Sequence, residues 1–239
     1  MRAILTTRCE PLKPKAARLR GAGRRGRRRK PAFTLIETAL ATIIIGVGVV
    51  AIIDANQAFM RSNSWSSLSA TGTLLGNEIR ELTRGFPRHD AVTGLFLGED
   101  GNGGSVLIGW GPEAFETTLG DYDDLDDFDG VRFGVDGDFP GPIDAFGNII
   151  PQTLPDGTVL MNNGEVVPLE GWSQTVFVEK VNPVDFSHIL ARNFEGKAST
   201  SAPTRTVDRF PLRVTVVVEY RGPYVREPLE VTRVTWIVP

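Results

Sequence analysis

The sequence of 239 residues is poor in the residue types on which most enzyme centres and zinc sites depend. It has one cysteine, Cys9, which excludes an internal disulfide and any zinc site built from paired cysteines. Its two histidines, His89 and His188, lie far apart in the chain, and we expect both on the surface. There is no Gly-x-Ser-x-Gly, no His-Glu-x-x-His and no phosphate-binding glycine loop. These absences predict that the protein is not an enzyme.

Charge is divided unevenly along the chain. Residues 1–32 hold 12 of the 26 lysines and arginines but one of the 29 acidic residues, so their formal charge is +11. The other 207 residues hold the remaining 14 basic and 28 acidic residues, which leaves them at −14. A basic tail on an acidic chain indicates a segment whose task differs from that of the folded part.

An apolar run of 21 residues, 33–53, begins directly after the basic segment. As a helix it would be about 31 Å long, which is close to the thickness of the hydrocarbon core of a membrane. Dense lysine and arginine on its N-terminal side predict that this side stays in the cytoplasm. The run therefore predicts a single membrane span with the rest of the chain outside the cytoplasm.

Glu37 is the ionisable residue of this run. An unpaired carboxylate in a membrane span costs at least a few kcal/mol, so such a residue needs a partner. The run contains no lysine or arginine to supply one. A cut before Phe33 would create an α-ammonium group at the head of the helix, and this cation could pair with Glu37.

The residues Lys30-Pro-Ala-Phe-Thr-Leu-Ile-Glu37 resemble the class III signal of type IV pilins and type II secretion pseudopilins. The resemblance, which covers roughly residues 24–60, implies that prepilin peptidase cuts between Ala32 and Phe33 and that Phe33 is then N-methylated. It also implies that Glu37 pairs with the N-terminus of a neighbouring subunit during filament assembly. The family usually has glycine before the cut, where this chain has Ala32.

The resemblance implies a structural subunit, a minor one, of a type IV pilus or a type II secretion pseudopilus. Its partners would be prepilin peptidase, other pilin or pseudopilin subunits and the inner membrane, and the mature form is not expected to bind nucleic acid. The basic segment 1–32 would then be a leader that is removed. The alternative is an uncleaved single-pass membrane protein whose acidic head, outside the cytoplasm, binds a ligand or partner.

The rest of the chain predicts an α+β fold. Residues 54–84 continue the helix with an apolar face that we expect in the core, formed by Trp65, Leu68, Leu75, Ile79 and Leu82. Gly85-Phe-Pro87 predicts the end of that helix. Residues 85–239 form a loop-rich head with predicted strands at 175–181, 212–220 and 229–238. A helix packed on a C-terminal antiparallel sheet resembles the pilin fold.

The most acidic part of the head is residues 121–130, which hold six aspartates. Loops rich in carboxylate oxygen suit calcium. Several pseudopilins bind calcium in the head domain, so the resemblance also supports a calcium site in this loop. The predicted ligands are Asp124, Asp126, Asp127 and Asp129. The other interpretation is a solvated acidic loop in which Tyr122 and Phe128 turn inward, and the sequence leaves both open.

Overall fold

The computed structural model describes residues 34–101, 103–198 and 203–239. The predicted cleavage site, Ala32 and Phe33, lies outside the described residues, as does the basic segment before it. The chain divides into two compact units, residues 1–54 and residues 55–239. One helix contributes residues to both units.

Helix α1 spans Leu35–Leu82 and a 3-10 turn, Thr83–Gly85, follows it. Eight strands follow in the described part of the chain: β1 Phe96–Glu99, β2 Ser105–Ile108, β3 Arg132–Gly134, β4 Met161–Asn162, β5 Glu165–Val166, β6 Trp172–Lys180, β7 Leu212–Tyr220 and β8 Leu229–Val238. Two further 3-10 turns lie at Asp126–Phe128 and Val207–Arg209. The α+β class is therefore confirmed, with the α-helix ending two residues before the predicted Arg84.

The first unit contributes the N-terminal part of α1. Its leucine, isoleucine and valine side chains are exposed from Leu35 to Ile53. By length and composition α1 is the one helix of the described residues that is apolar enough to cross a membrane. A continuous apolar surface of this kind is stable only when lipid or other protein covers it.

The second unit is built on an antiparallel sheet of four strands in the order β3-β6-β7-β8. Strands β6 and β7 pair along their whole length, from Trp172 with Tyr220 to Lys180 with Leu212. A register shift at Val218 and Glu219 interrupts the pairing of β7 with β8. The sequence predicted the limits of β7 and β8, and both are confirmed. Strand β6 begins three residues earlier and ends one residue earlier than predicted.

The C-terminal part of α1 packs on this sheet. Leu75 and Ile79 are buried, and Leu68 and Leu82 pack at the edge of the core. Trp65 was expected on the same buried face, but that prediction was wrong because 49% of its surface is exposed. It stands more than two helical turns before Leu75, and the first buried residue of the helix is Gly72.

Candidate functional site

Two features carry the predicted functional residues, and the first is the start of helix α1. The hydroxyl oxygen of Thr34 accepts a hydrogen bond from the backbone N–H of Glu37 at 3.3 Å. In return, Oε2 of Glu37 accepts from the backbone N–H and from the hydroxyl of Thr34, each at 3.3 Å. This reciprocal arrangement is a capping box, which satisfies backbone donors that the first turn of a helix leaves free.

Glu37 therefore has a local partner, Thr34, which directly precedes helix α1. Its carboxylate also lies in the first turn, where the helix dipole favours a negative charge. The spacing Thr34-x-x-Glu37 is the sequence pattern of a capping box, so this role could have been found from the sequence. A cation is not the only possible partner of a carboxylate, because neutral N–H and O–H groups also donate to it.

The second feature is the acidic loop, residues 121–130. The side chains of Asp124, Asp126 and Asp127 are buried, the last two completely. Phe128 is buried as well, and the ring of Tyr122 meets it edge-on with 5.4 Å between ring centroids. The aromatic residues turn inward as expected. The interpretation of the loop as solvated was wrong for Asp124, Asp126 and Asp127, whereas Asp121 and Asp123 are exposed. Neighbouring segments cover the three buried aspartates, which the sequence pattern alone does not reveal.

Two of the buried aspartates hold the turn at Asp126–Phe128 in place. Oδ1 of Asp124 accepts from the backbone N–H groups of Asp126 and Asp127, at 2.9 and 3.2 Å. Oδ2 of Asp127 accepts from the backbone N–H groups of Asp123 and Asp124, both at 3.1 Å. Each carboxylate thus accepts hydrogen bonds from backbone N–H groups in the part of the loop that carries the other.

The side chain of Asp126 contacts His89 and the backbone at Gly111. Its Oδ1 lies 3.0 Å from Nδ1 of His89, and its Oδ2 accepts from the N–H of Gly111 at 3.2 Å. Burial lowers the pKa of His89 to about 4, so at neutral pH the ring is uncharged and donates Nδ1–H to the carboxylate. The expectation of a surface histidine was wrong, because 7% of the His89 side chain is exposed.

Asp129 is the anchor between the loop and the sheet. Its Oδ1 accepts from the backbone N–H of Val178 in β6 at 2.9 Å. Its Oδ2 accepts from Nε1 of Trp110 at 3.1 Å and from the guanidinium of Arg192. That guanidinium also lies over the Trp110 ring, 5.1 Å from its centroid. Both oxygens of Asp129 are therefore occupied by structural contacts.

Asp129→Asn is expected to destabilise the second unit by about 1–2 kcal/mol, because its new NH₂ group must face the N–H donors of Trp110 and Arg192 or Val178. Chemical denaturation monitored by tryptophan fluorescence measures this loss. Asp136→Asn is the matched control, since Asp136 is exposed and pairs with Arg221 at the surface; it should cost less than about 1 kcal/mol. Equal losses in the two variants would contradict the anchoring role.

The carboxylates form two groups in which one oxygen of each residue lies within 4.8 Å of one oxygen of each of the others. Asp123, Asp124 and Asp127 form the first group, and Glu113, Glu116 and Asp127 form the second. Of the four aspartates predicted as calcium ligands, the structure thus brings Asp124 and Asp127 together. Asp126 and Asp129 belong to neither group.

Burial dominates the electrostatics of these groups. It raises the pKa of Asp124 to about 8 and that of Asp127 to about 6. It also raises the pKa of Glu116 to about 7, with smaller contributions from the nearby carboxylates of Glu113 and Asp127. Glu113 and Glu116 were not predicted from the sequence, because two glutamates outside the aspartate run form no recognisable ligand pattern.

Comparison of the chain with protein-family models, curated proteins and solved structures found no match. The start of helix α1 and its exposed apolar side chains are the features that bear most directly on function.

Proposed function

We propose that this protein is a minor structural subunit of a type IV pilus or a type II secretion pseudopilus. The observation that carries the proposal is the motif Phe33-Thr-Leu-Ile-Glu37, which follows a strongly basic segment and leads directly into helix α1. The subunit would enter the inner membrane with residues 1–32 in the cytoplasm and the head outside it. Prepilin peptidase would then cut between Ala32 and Phe33 and methylate Phe33.

The exposed apolar part of α1 supports this function. In the membrane, lipid covers the side chains of residues 35–53, and in a filament the equivalent helices of neighbouring subunits would replace the lipid. Gly46 and Gly48 lie in this stretch, and a side chain added at either position would meet no atom of the described residues within 4 Å. Small residues of this kind permit close approach of helices in apolar surroundings.

The capping box suggests how Glu37 passes from one partner to another. Before cleavage, Glu37 bonds to the uncharged N–H and O–H groups of Thr34. Cleavage would create a positively charged N-terminus at Phe33, and a charged donor forms a stronger hydrogen bond with a carboxylate than a neutral donor does. The new N-terminus of a neighbouring subunit would then compete for Glu37 during assembly.

The N-terminus of the protein extracted from its native membrane tests the proposal directly. Mass spectrometry and N-terminal sequencing are expected to show a chain that begins at Phe33 and carries one added methyl group. A chain that retains Met1 would overturn the proposal and support the alternative, an anchored binding module with an acidic head. A start near Asp54 would indicate removal of the whole apolar run and would also overturn it.

Glu37→Gln separates the charge of Glu37 from its role in helix capping. Glutamine preserves a capping box but cannot form an ion pair. We expect normal insertion and cleavage with a roughly tenfold or larger loss of filament incorporation, since a charged hydrogen bond contributes about 1.5–3 kcal/mol. Immunoblots of filaments sheared from cells that carry the assembly machinery would measure this loss.

Two further variants control this experiment. Glu37→Ala removes both the charge and the cap and should also be cleaved but not assembled. Thr34→Ala breaks the capping box and leaves the charge, so it should assemble much better than either Glu37 variant. Wild-type assembly of Glu37→Gln would show that the charge of Glu37 is not required.

A further inference from the structure

A cavity of about 290 Å³ lies in the second unit, between the segment that follows β6 and the segment that precedes β7. Backbone hydrogen bonds hold these two segments together. Gly196 and Arg205 exchange two such bonds, each at 2.8 Å, and the N–H of Leu190 donates to the carbonyl of Lys180 in β6 at 2.8 Å. The walls of the cavity are therefore joined to each other and to the sheet.

Apolar side chains form much of this wall. Val184, Leu190, Phe194 and Phe210 line the cavity. Phe210 is buried, and Phe194 meets it edge-on with 5.5 Å between the ring centroids. Phe194 is 41% exposed and Val184 is 93% exposed, so the apolar lining reaches the solvent. Such a recess can accept the apolar part of a ligand, because contact removes both surfaces from water.

Two cationic side chains, Lys197 and Arg205, also line the cavity. Neither forms an ion pair with a described residue, and no aspartate or glutamate is among the described lining residues. Residues 33–239 as a whole hold 28 acidic residues against 14 basic ones. The lining thus has the opposite charge to the rest of this part of the chain, which favours an anion in the cavity.

The guanidinium of Arg205 is held in place by its neighbours. It lies over the Phe210 ring, 5.5 Å from the centroid, and donates to the carbonyl of Arg209 at 3.3 Å. A guanidinium has five N–H donors in a planar fork that matches the two oxygens of a carboxylate. Arg205 therefore has donors left for an anion beside the aromatic wall.

We propose that this cavity binds a small amphipathic carboxylate. Its apolar body would contact Leu190, Phe194 and Phe210, and its carboxylate would bind Lys197 and Arg205. The cavity volume lies at the lower end of the range for ligand pockets, so the body would be an aromatic ring or a short alkyl chain. The proposal does not depend on the function of α1 and holds for a filament subunit and for an anchored binding module alike.

Ligand-observed NMR of the full-length protein in detergent tests this site, with 3-phenylpropanoate as the probe and protein-free micelles as the blank. We expect saturable binding with a Kd on the order of 1 mM, as for other ligands of about ten non-hydrogen atoms. The neutral alcohol 3-phenylpropanol has the same apolar body and should bind roughly tenfold more weakly, since it cannot pair with the cations. Absence of saturable binding of the acid, or equal binding of acid and alcohol, would overturn the proposal.

Two variants test the charge of the lining. Lys197→Gln removes one cation and should weaken binding of the acid by roughly three- to tenfold without changing that of the alcohol. Arg226→Gln is the matched control, because Arg226 is exposed and does not line the cavity. Val184→Asp adds a carboxylate to the lining and should repel the acid, whereas Val92→Asp alters a side chain that is 91% exposed elsewhere and should not.

Lys197 and Val184 are exposed, so both variants should keep the wild-type midpoint of thermal unfolding. Wild-type affinity for the acid in both would overturn the proposal. A second copy of the chain is the other occupant that an apolar recess could take. In that case the acid would not bind, and sedimentation would show a dimer that Val184→Asp dissociates. That outcome would also overturn the assignment of a small ligand.

Discussion

Gln174→Leu is expected to destabilise the second unit by about 2–4 kcal/mol, although leucine has a similar volume. Gln174 lies in β6 and is completely buried. Its Nε2 donates to the carbonyl of Leu75 in α1 at 2.8 Å and to the carbonyl of Ile143 at 3.1 Å. Its Oε1 accepts from the N–H of Ile143 at 2.8 Å. Leucine would leave this buried N–H without its acceptor.

Urea denaturation of the full-length protein in detergent, followed by tryptophan fluorescence, measures this effect. Gln174→Glu should be still less stable, since a carboxylate cannot donate to the two carbonyl oxygens that it would face. Gln152→Leu is the matched control: Gln152 is partly exposed, and its side chain accepts one hydrogen bond, from the N–H of Glu170. We expect it to cost less than about 1 kcal/mol. Equal stability of the two leucine variants would refute the structural role of Gln174.

Gly76→Leu is the second substitution with a large expected effect. Gly76 lies on the buried face of α1, and a Cβ atom there would stand 2.6 Å from Cγ2 of Val234 in β8. Valine is stiff about χ1, so its methyl group cannot move aside without displacing the strand or the helix. We expect a loss of about 2–3 kcal/mol, even after the gain in helix propensity.

A loss of that size lowers the thermal midpoint by roughly 4–12 °C for a fold of this size. Gly85→Leu is the control, because a side chain added at Gly85 meets no described atom within 4 Å. Val234→Ala, combined with Gly76→Leu, should recover part of the loss, so that the two changes together cost less than their sum. A Gly76→Leu protein with wild-type stability would show that the helix does not approach β8 as closely as described.

Regular patterns in the sequence predicted most of the secondary structure. The strict alternation of residues 212–220 determines a strand whose limits match β7, and the apolar run after residue 33 predicts the exposed N-terminal part of α1. These predictions succeed because the period of a helix or strand is a local property of the chain. The irregular segments between residues 85 and 171 have no period, and there the sequence predicted little beyond loops and short strands.

Several of the failed predictions concern burial. By its position in the helical repeat, Trp65 belongs to the same face as Leu75 and Ile79, yet 49% of its surface is exposed. His89 and three aspartates of the acidic loop, Asp124, Asp126 and Asp127, look like surface residues in the sequence, yet their side chains are buried. Whether a side chain is buried depends on segments distant in the chain, which spacing along one helix or loop cannot show. The packing of distant segments against one another decides whether a side chain is buried.

The sequence by itself determined the basic segment, the apolar run, the motif with Glu37 and the α+β class, since each depends on neighbouring residues and on hydrophobic periodicity. Only the tertiary structure decided that the carboxylates of Glu113 and Glu116 lie close to that of Asp127. It also decided that His89 forms a hydrogen bond with Asp126 and that Asp129 links the loop to β6. Such contacts join residues from different segments. Their positions follow from how the chain packs its core, and no local pattern specifies that packing.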